Sequence, residues 1–163
     1  MHPGQFLVVV DSTAKTLQSF AITPAGTTDV PGGSDGILTP LASGTALTGA
    51  GPWVVAFDPQ DRVVFVADQS AGTITPYSFA VITGALGAAG TPVTPSANGI
   101  TQVSVDITGT YLYAGVKAAV APGSLGAVAV YKIGAGGALT AVAGSPFPTG
   151  TGNPGVARTN VVQ

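Results

Sequence analysis

The sequence repeats one order of apolar segments three times along its 163 residues. Residues 6–11 (FLVVVD) match residues 63–68 (VVFVAD), and residues 111–114 (YLYA) open the third copy. Further segments follow in the same order in each copy. The period is about 50 residues, which is typical of folds that stack one structural unit on the next. The chain is therefore predicted to be an array of one repeated unit.

Each full unit contains four strand-length apolar segments separated by Gly, Pro, Ser, Thr or Asn. The 24 glycines and 13 prolines of the chain favour many short strands joined by turns. Four strands in about 50 residues is the arrangement of a propeller blade. We therefore predict an all-β fold, a β-propeller of four-stranded antiparallel blades with three blades per chain. No segment has a convincing helical period. Residues 80–89 could form a short helix, but Gly84, Gly87 and Gly90 favour a hairpin.

The ends of the chain divide the repeat unevenly. With strands lettered A to D from the hub outward, the order is B-C-D, A-B-C-D, A-B-C-D, A, and residues 154–162 form the spare inner strand. We treat residues 1–163 as a single propeller domain with repeats at about 2–58, 59–106 and 107–163. Because propellers close with roughly four to eight blades, the sequence predicts a homodimer that closes the ring by exchanging its last strands. The alternative is a piece of a longer propeller.

The charge and hydropathy of the chain limit the kinds of partner that it is expected to bind. Charged residues make up only 7% of the chain, and five Lys and Arg scattered along it cannot form a phosphate-binding stripe, so no nucleic acid is expected. No apolar run approaches the roughly 20 residues of a membrane span. The first residues lack a signal-peptide pattern. The compartment stays unknown, with a secreted or periplasmic parent as one alternative. The absence of cysteine excludes disulfides, thiolate zinc sites and a cysteine nucleophile.

These repeats resemble the lactonase-type, YVTN-like β-propeller family, which includes bacterial 6-phosphogluconolactonase-like proteins. The resemblance rests on the strand segments above, on ITPYSF and VAVYKI, and most strongly on residues 137–157 with the run Gly144, Ser145, Pro146 and Phe147. It covers nearly the whole chain. It implies a bacterial propeller of about seven blades, and it does not by itself imply an activity.

Few residues suggest chemistry. The single histidine, His2, lies in the N-terminal turn and is not expected to act as a base or metal ligand. The seven carboxylates are all aspartates, and two pairs recur at equivalent positions, which indicates turn capping; paired acid/base groups or Ca²⁺ ligands are the alternative. The two pairs are Asp58 with Asp106 and Asp11 with Asp68. No catalytic residue, metal site or cofactor is assigned, and the residues give no support for a divalent metal.

Two residues of inner strands are candidate ligand-binding residues. Arg158 stands where the other copies have Ala56 and Ser104, and its guanidinium is suited to hold an anion in the central channel. A salt bridge at the joint between chains, or solvation, is the alternative. Trp53 is a candidate platform for a small sugar-like ligand, with core or blade-to-blade packing as its alternative. The chain is thus predicted to be a lactonase-like scaffold or binding protein; the alternative is a hydrolase of a sugar lactone.

Overall fold

The computed structural model describes residues 5–23, 36–88, 90–96, 99–117 and 124–156. These ranges contain β-strands and one 3-10 helix of three residues, Ala135–Gly137, so the predicted all-β class is confirmed. The strands are β1 (Gln5–Asp11), β2 (Thr16–Ile22), β3 (Leu38–Leu47), β4 (Pro52–Phe57), β5 (Val63–Asp68), β6 (Thr73–Phe79), β7 (Leu86–Ala88), β8 (Ile100–Val105), β9 (Tyr111–Val116), β10 (Ala127–Ile133), β11 (Leu139–Ala141) and β12 (Phe147–Pro148).

The strands form three antiparallel sheets that follow one another along the chain. The first sheet has the order β1-β2-β3, the second β4-β5-β6-β7, and the third β8-β9-β10-β11, with β12 also paired to β10. The second and third sheets begin with an inner strand, whereas the first begins with β1, the equivalent of β5 and β9. The sheets therefore correspond to part of a propeller, and they start at the strand that the repeat predicts.

Two apolar clusters hold the sheets face to face. One lies between the first and second sheets and is built on Leu17, Val64 and Val66. The other lies between the second and third sheets and is built on Phe65 and Leu112. Because side chains alternate across a strand, β5 contributes to both clusters and is buried along its whole length. Burial on both faces explains why VVFVAD is apolar throughout and shows no alternation of polar residues.

The outer strands are interrupted. In the third sheet, β11 and β12 both pair with β10, and residues 142–146 loop out between them. The Ser145 hydroxyl accepts a hydrogen bond of 2.8 Å from the Val130 backbone N–H within this gap. In the second sheet Val93 pairs with Ile74 beyond the end of β7. The Gly-Ser-Pro-Phe run therefore has a structural role, since it keeps the β10 backbone paired where the outer strand leaves it.

The hairpin predicted for residues 80–89 is confirmed up to residue 88, where β7 ends. Its turn packs against the first sheet. Gly84 has φ +70°, and a Cβ there would lie 2.5 Å from Leu41 Cδ1 and 2.7 Å from the Phe6 ring. The buried Ser19 hydroxyl donates a 2.5 Å hydrogen bond to the Gly84 carbonyl oxygen. This turn therefore needs glycine both for its backbone angle and for close packing.

Candidate ligand site at the inner strands

The repeated aspartates cap turns, as predicted. Asp58 Oδ1 accepts hydrogen bonds of 2.7 Å from the backbone N–H groups of Arg62 and Val63, and Asp58 is 8% exposed. Its equivalent Asp106 accepts a 2.8 Å bond from the Tyr111 N–H and two further bonds from the N–H and hydroxyl of Thr108. Both carboxylates close the turn between the inner strand and the next strand of their sheet.

The second pair caps the turns that follow β1 and β5. Asp11 Oδ1 accepts 2.8 Å hydrogen bonds from the N–H groups of Thr13 and Ala14. Asp68 makes the equivalent bonds to Ser70 and Ala71, also at 2.8 Å. Its second oxygen accepts a further 2.8 Å bond from the N–H of Gly51, at the start of the inner strand β4. Asp68 is 3% exposed, so it ties the inner strand to the hairpin of its sheet.

The electrostatics of Asp106 reflect its capping role. Partial burial raises the pKa of Asp106, but hydrogen bonds from the Thr108 side chain and from the backbone of Tyr111, Thr110 and Thr108 lower it by more. The pKa of the Asp106 carboxyl therefore lies below its ordinary value, and the group is fully ionised at neutral pH. An ionised, hydrogen-bonded carboxylate is a good turn cap and a poor proton donor.

The inner strands carry a β-bulge at the same place in two sheets. The register shifts between Pro52 and Val54 in β4, and between Ile100 and Gln102 in β8. The bulged residues are Trp53 and Thr101. Bulges re-aim side chains and recur beside functional sites. Trp53 is 57% exposed and belongs to neither apolar cluster, so it is not part of the core that the structure describes. Blade-to-blade packing and ligand binding both stay predictions for it.

The C-terminal segment reaches the inner edge of the third sheet. The Thr101 hydroxyl donates a 2.5 Å hydrogen bond to the Pro154 carbonyl oxygen, and the Val156 N–H donates a 3.2 Å bond to Gln102 Oε1. Residues 154–156 thus run beside β8, at the start of the predicted spare inner strand. They form no strand themselves. The rest of that strand lies outside the described residues.

Two residues singled out by the sequence, Arg158 and His2, lie outside the described residues. The structure does describe the positions that correspond to Arg158. Ala56 packs against the cluster between the second and third sheets, and Ser104 is partly buried on the far side of the third sheet, opposite Tyr113. Both counterparts lie on the sheet face that looks towards the next sheet. The role of Arg158 itself, in the central channel or at the joint between chains, stays a prediction.

Sequence reasoning missed a cleft between the second and third sheets. It has a volume of about 300 Å³ and is lined by Asp58, Gln60, Arg62, Val63, Ser78, Gly109, Ile133, Gly134, Gly136 and Gly137. The lining combines turns that lie far apart along the chain, which explains why no local sequence motif predicts the cleft. The recurrence of the Asp58 and Asp106 turns on one rim was the available signal. The cleft offers one exposed guanidinium, from Arg62, beside backbone of the glycine-rich turn.

The described ranges bring no three His, Cys, Asp or Glu side chains together in an arrangement suited to a metal ion. In the same part of the chain, no helix has the length and apolar character needed to cross a membrane.

The fold is shared with solved structures. A protein from Bacteroides uniformis, described as a "putative 6-phosphogluconolactonase", matches 90% of this chain with a TM-score of 0.70 and 20% sequence identity. A protein of the same description from Bacteroides fragilis matches 85% with a TM-score of 0.68 and 22% identity. A protein from Lactobacillus plantarum matches 88% with a TM-score of 0.66 and 20% identity. The resemblance to lactonase-type propellers is thus confirmed at the level of the fold.

The chain spans less than two-fifths of the length of each of these proteins, at 38%, 38% and 37% of the B. uniformis, L. plantarum and B. fragilis chains. No protein-family model and no curated protein sequence matches the chain.

Proposed function

We propose that this chain is part of a propeller that binds a sugar lactone at its inner strands and opens it by hydrolysis. The supporting observation is the shared fold: 90% of the chain matches a protein described as a "putative 6-phosphogluconolactonase". The two equivalent bulges at Trp53 and Thr101 add to it, because they recur on the strands that line a propeller's hub.

The reaction defines what the site has to supply. A water oxygen bonds to the lactone carbonyl carbon, the ring C–O bond breaks, and the ring oxygen takes up a proton, so that the product is a hydroxy acid. Negative charge develops on the carbonyl oxygen in the transition state, and a fixed cation or hydrogen-bond donor nearby stabilises it. We assign this role to the Arg158 guanidinium, because the repeat predicts that residues 154–162 form an inner strand. The exposed Trp53 indole would pack against the apolar face of the sugar ring.

A second candidate is a binding scaffold without catalysis, because of how the aspartates are used. Asp11, Asp58, Asp68 and Asp106 all direct carboxylate oxygens to backbone N–H groups of turns. A carboxylate engaged in this way is not positioned to activate a water molecule. On this alternative the inner strands bind a sugar-like ligand and release it unchanged.

A hydrolysis assay separates the two candidates. The rate of acid release from gluconolactone and from 6-phosphogluconolactone is followed by a pH indicator, with and without divalent metal, and the spontaneous rate is subtracted. A hydrolase raises the rate above the spontaneous one, and Arg158→Ala lowers the added rate by about 100-fold, as expected for loss of one oxyanion-stabilising group. Ile82→Ala, at an exposed site in the turn after β6, is the matched control and leaves the rate unchanged. A rate equal to the spontaneous one, with binding still detected by calorimetry, would favour the scaffold.

A further inference from the structure

The first sheet exposes apolar side chains at positions that the other two sheets bury. Leu7 is 39% exposed, whereas its repeat equivalents Val64 and Leu112 are both fully buried at 0%. Val9 is 40% exposed, whereas its equivalent Val66 is 3% exposed. In the second and third sheets these positions pack against the preceding sheet. The outer face of the first sheet therefore has the side chains of a sheet-to-sheet contact without a sheet to cover it.

The third sheet shows the same feature on its opposite side. Tyr111 is 38% exposed, whereas its equivalent Val63 is 8% exposed. Tyr113 is partly exposed at the position of Phe65, which is fully buried at 0%. Phe147, which pairs with Val128 on the same face, is 43% exposed. In the second sheet this side packs against the sheet that follows. The far face of the third sheet is thus the other half of a sheet-to-sheet contact.

The two exposed faces are of complementary kinds. Both contacts inside the chain join the far face of one sheet to the near face of the next, and the far face of the third sheet and the near face of the first are the two left over. Leu112 and Phe65, the equivalents of Leu7 and Tyr113, belong to one cluster. A second copy of this chain therefore offers each exposed face the same kind of face that covers its equivalents within the chain.

The path of the C-terminal segment points to the same joint. Residues 154–156 run beside β8, just as β8 runs beside β4, which places them where the inner strand of a following sheet begins. The first sheet lacks an inner strand: β1 pairs with β2 alone among the described residues. Residues 154–156 therefore occupy the position of an inner strand, which is the position beside β1 that no described strand fills.

We infer that the outer face of the first sheet, centred on Leu7, Val9 and Phe20, the residue paired with Leu7, docks on the far face of the third sheet of a second copy, so that two copies close one propeller ring. A twofold axis relates the two joints. Each joint is head to tail, because it brings the first sheet of one copy against the third sheet of the other. Two copies supply about six blades, within the range in which propellers close. This inference does not depend on lactone hydrolysis, because it concerns the contact between sheets alone.

The solution mass gives the first test. Sedimentation equilibrium at micromolar concentration should return about 32 kDa, twice the 15.8 kDa of one chain. Leu7→Lys places an unpaired cation in each joint and should raise the dimer dissociation constant by about 100-fold or more. Ile82→Lys, a matched change at a side chain that is 75% exposed and away from both faces, leaves the mass unchanged. Wild-type protein with the mass of one chain would overturn the inference; it would leave further blades of a longer chain as the occupant.

A mixing experiment tests the head-to-tail geometry. Tyr113→Asp alters only the far face of the third sheet and should also give single chains. When Leu7→Lys and Tyr113→Asp proteins are mixed, one joint of the mixed dimer is wild type and the other pairs Lys with Asp, so dimers reappear. A dimer that joins two first-sheet faces would not be restored by mixing, and that result would overturn the ring. Val9→Lys repeats the test if either variant loses its circular-dichroism spectrum.

Discussion

Replacing Asp68 by alanine removes the carboxylate that ties the inner strand of the second sheet to its hairpin. Two of its hydrogen bonds come from the N–H groups of Ser70 and Ala71, both exposed residues, so water can replace the carboxylate there. The third goes to the N–H of Gly51, which is half-buried. Two replaceable bonds at about 0.5 kcal/mol each, and one partly buried bond to a charged acceptor at about 2 kcal/mol, predict a loss of about 3 kcal/mol of unfolding free energy.

Asp11 supplies the matched control, because it accepts the same two turn bonds and lies on β1, which pairs with β2 alone among the described residues. Asp11→Ala should therefore cost only about 1 kcal/mol. Both substitutions are made in the Leu7→Lys chain, so that association does not add to the measured stability. In a chain of this size, the losses correspond to falls in Tm of about 9 °C for Asp68→Ala and about 3 °C for Asp11→Ala.

Urea unfolding followed by circular dichroism measures both values at one chain concentration. Equal losses for Asp11→Ala and Asp68→Ala would refute the reasoning, since they would show that the bond to Gly51 and the burial of Asp68 contribute nothing.

The remaining predictions concern packing and titration. Gly84→Ala should lower the unfolding free energy by about 2 to 4 kcal/mol, because the new Cβ overlaps Leu41 and sits at positive φ; urea unfolding that matches wild type would contradict it. The pKa of Asp106 is lowered in the folded state. The stability that the ionised carboxylate contributes is therefore present above pH 3.8, its ordinary pKa, and is lost as the pH falls through the folded-state pKa. Asp106→Asn should flatten the acid limb of a Tm-versus-pH curve, and an unchanged limb would count against the cap. Burial raises the pKa values of Tyr77 and Tyr131 above their ordinary value of 10.0. The stability that their neutral hydroxyls contribute is therefore complete below pH 10.0 and declines as the pH rises through the folded-state pKa values. Tyr131→Phe should reduce the alkaline decline in Tm.

The repeat determined most of what could be predicted of the fold. The sequence predicts the four-strand unit, the position of the first sheet in it and the capping aspartates, because each of these recurs at a fixed offset and follows from local chemistry. The run of apolar residues 63–68 already distinguishes a strand buried on both faces from one with an alternating pattern.

Other features depend on contacts between distant segments. The bulges at Trp53 and Thr101 arise from the register between neighbouring strands, and no residue type there demands them. The sequence leaves the exposure of Trp53 open, because tryptophan serves both in cores and as a platform for ligands. The cleft around Arg62 joins turns from two sheets, so it exists only once those sheets are packed together. The candidate site therefore owes less to local motifs than the strands do.

Amide hydrogen exchange along β1 tests the central claim, that a second copy closes the ring, together with the predicted exchange of last strands, which covers the open edge of β1. Among the described residues β1 pairs with β2 alone, whereas β5 pairs with both β4 and β6. At concentrations that give the mass of two chains, the amides of residues 6–10 should exchange as slowly as those of residues 63–68, and Leu7→Lys should restore fast exchange to the free edge of β1. Fast exchange at that edge in the wild-type dimer would contradict the account.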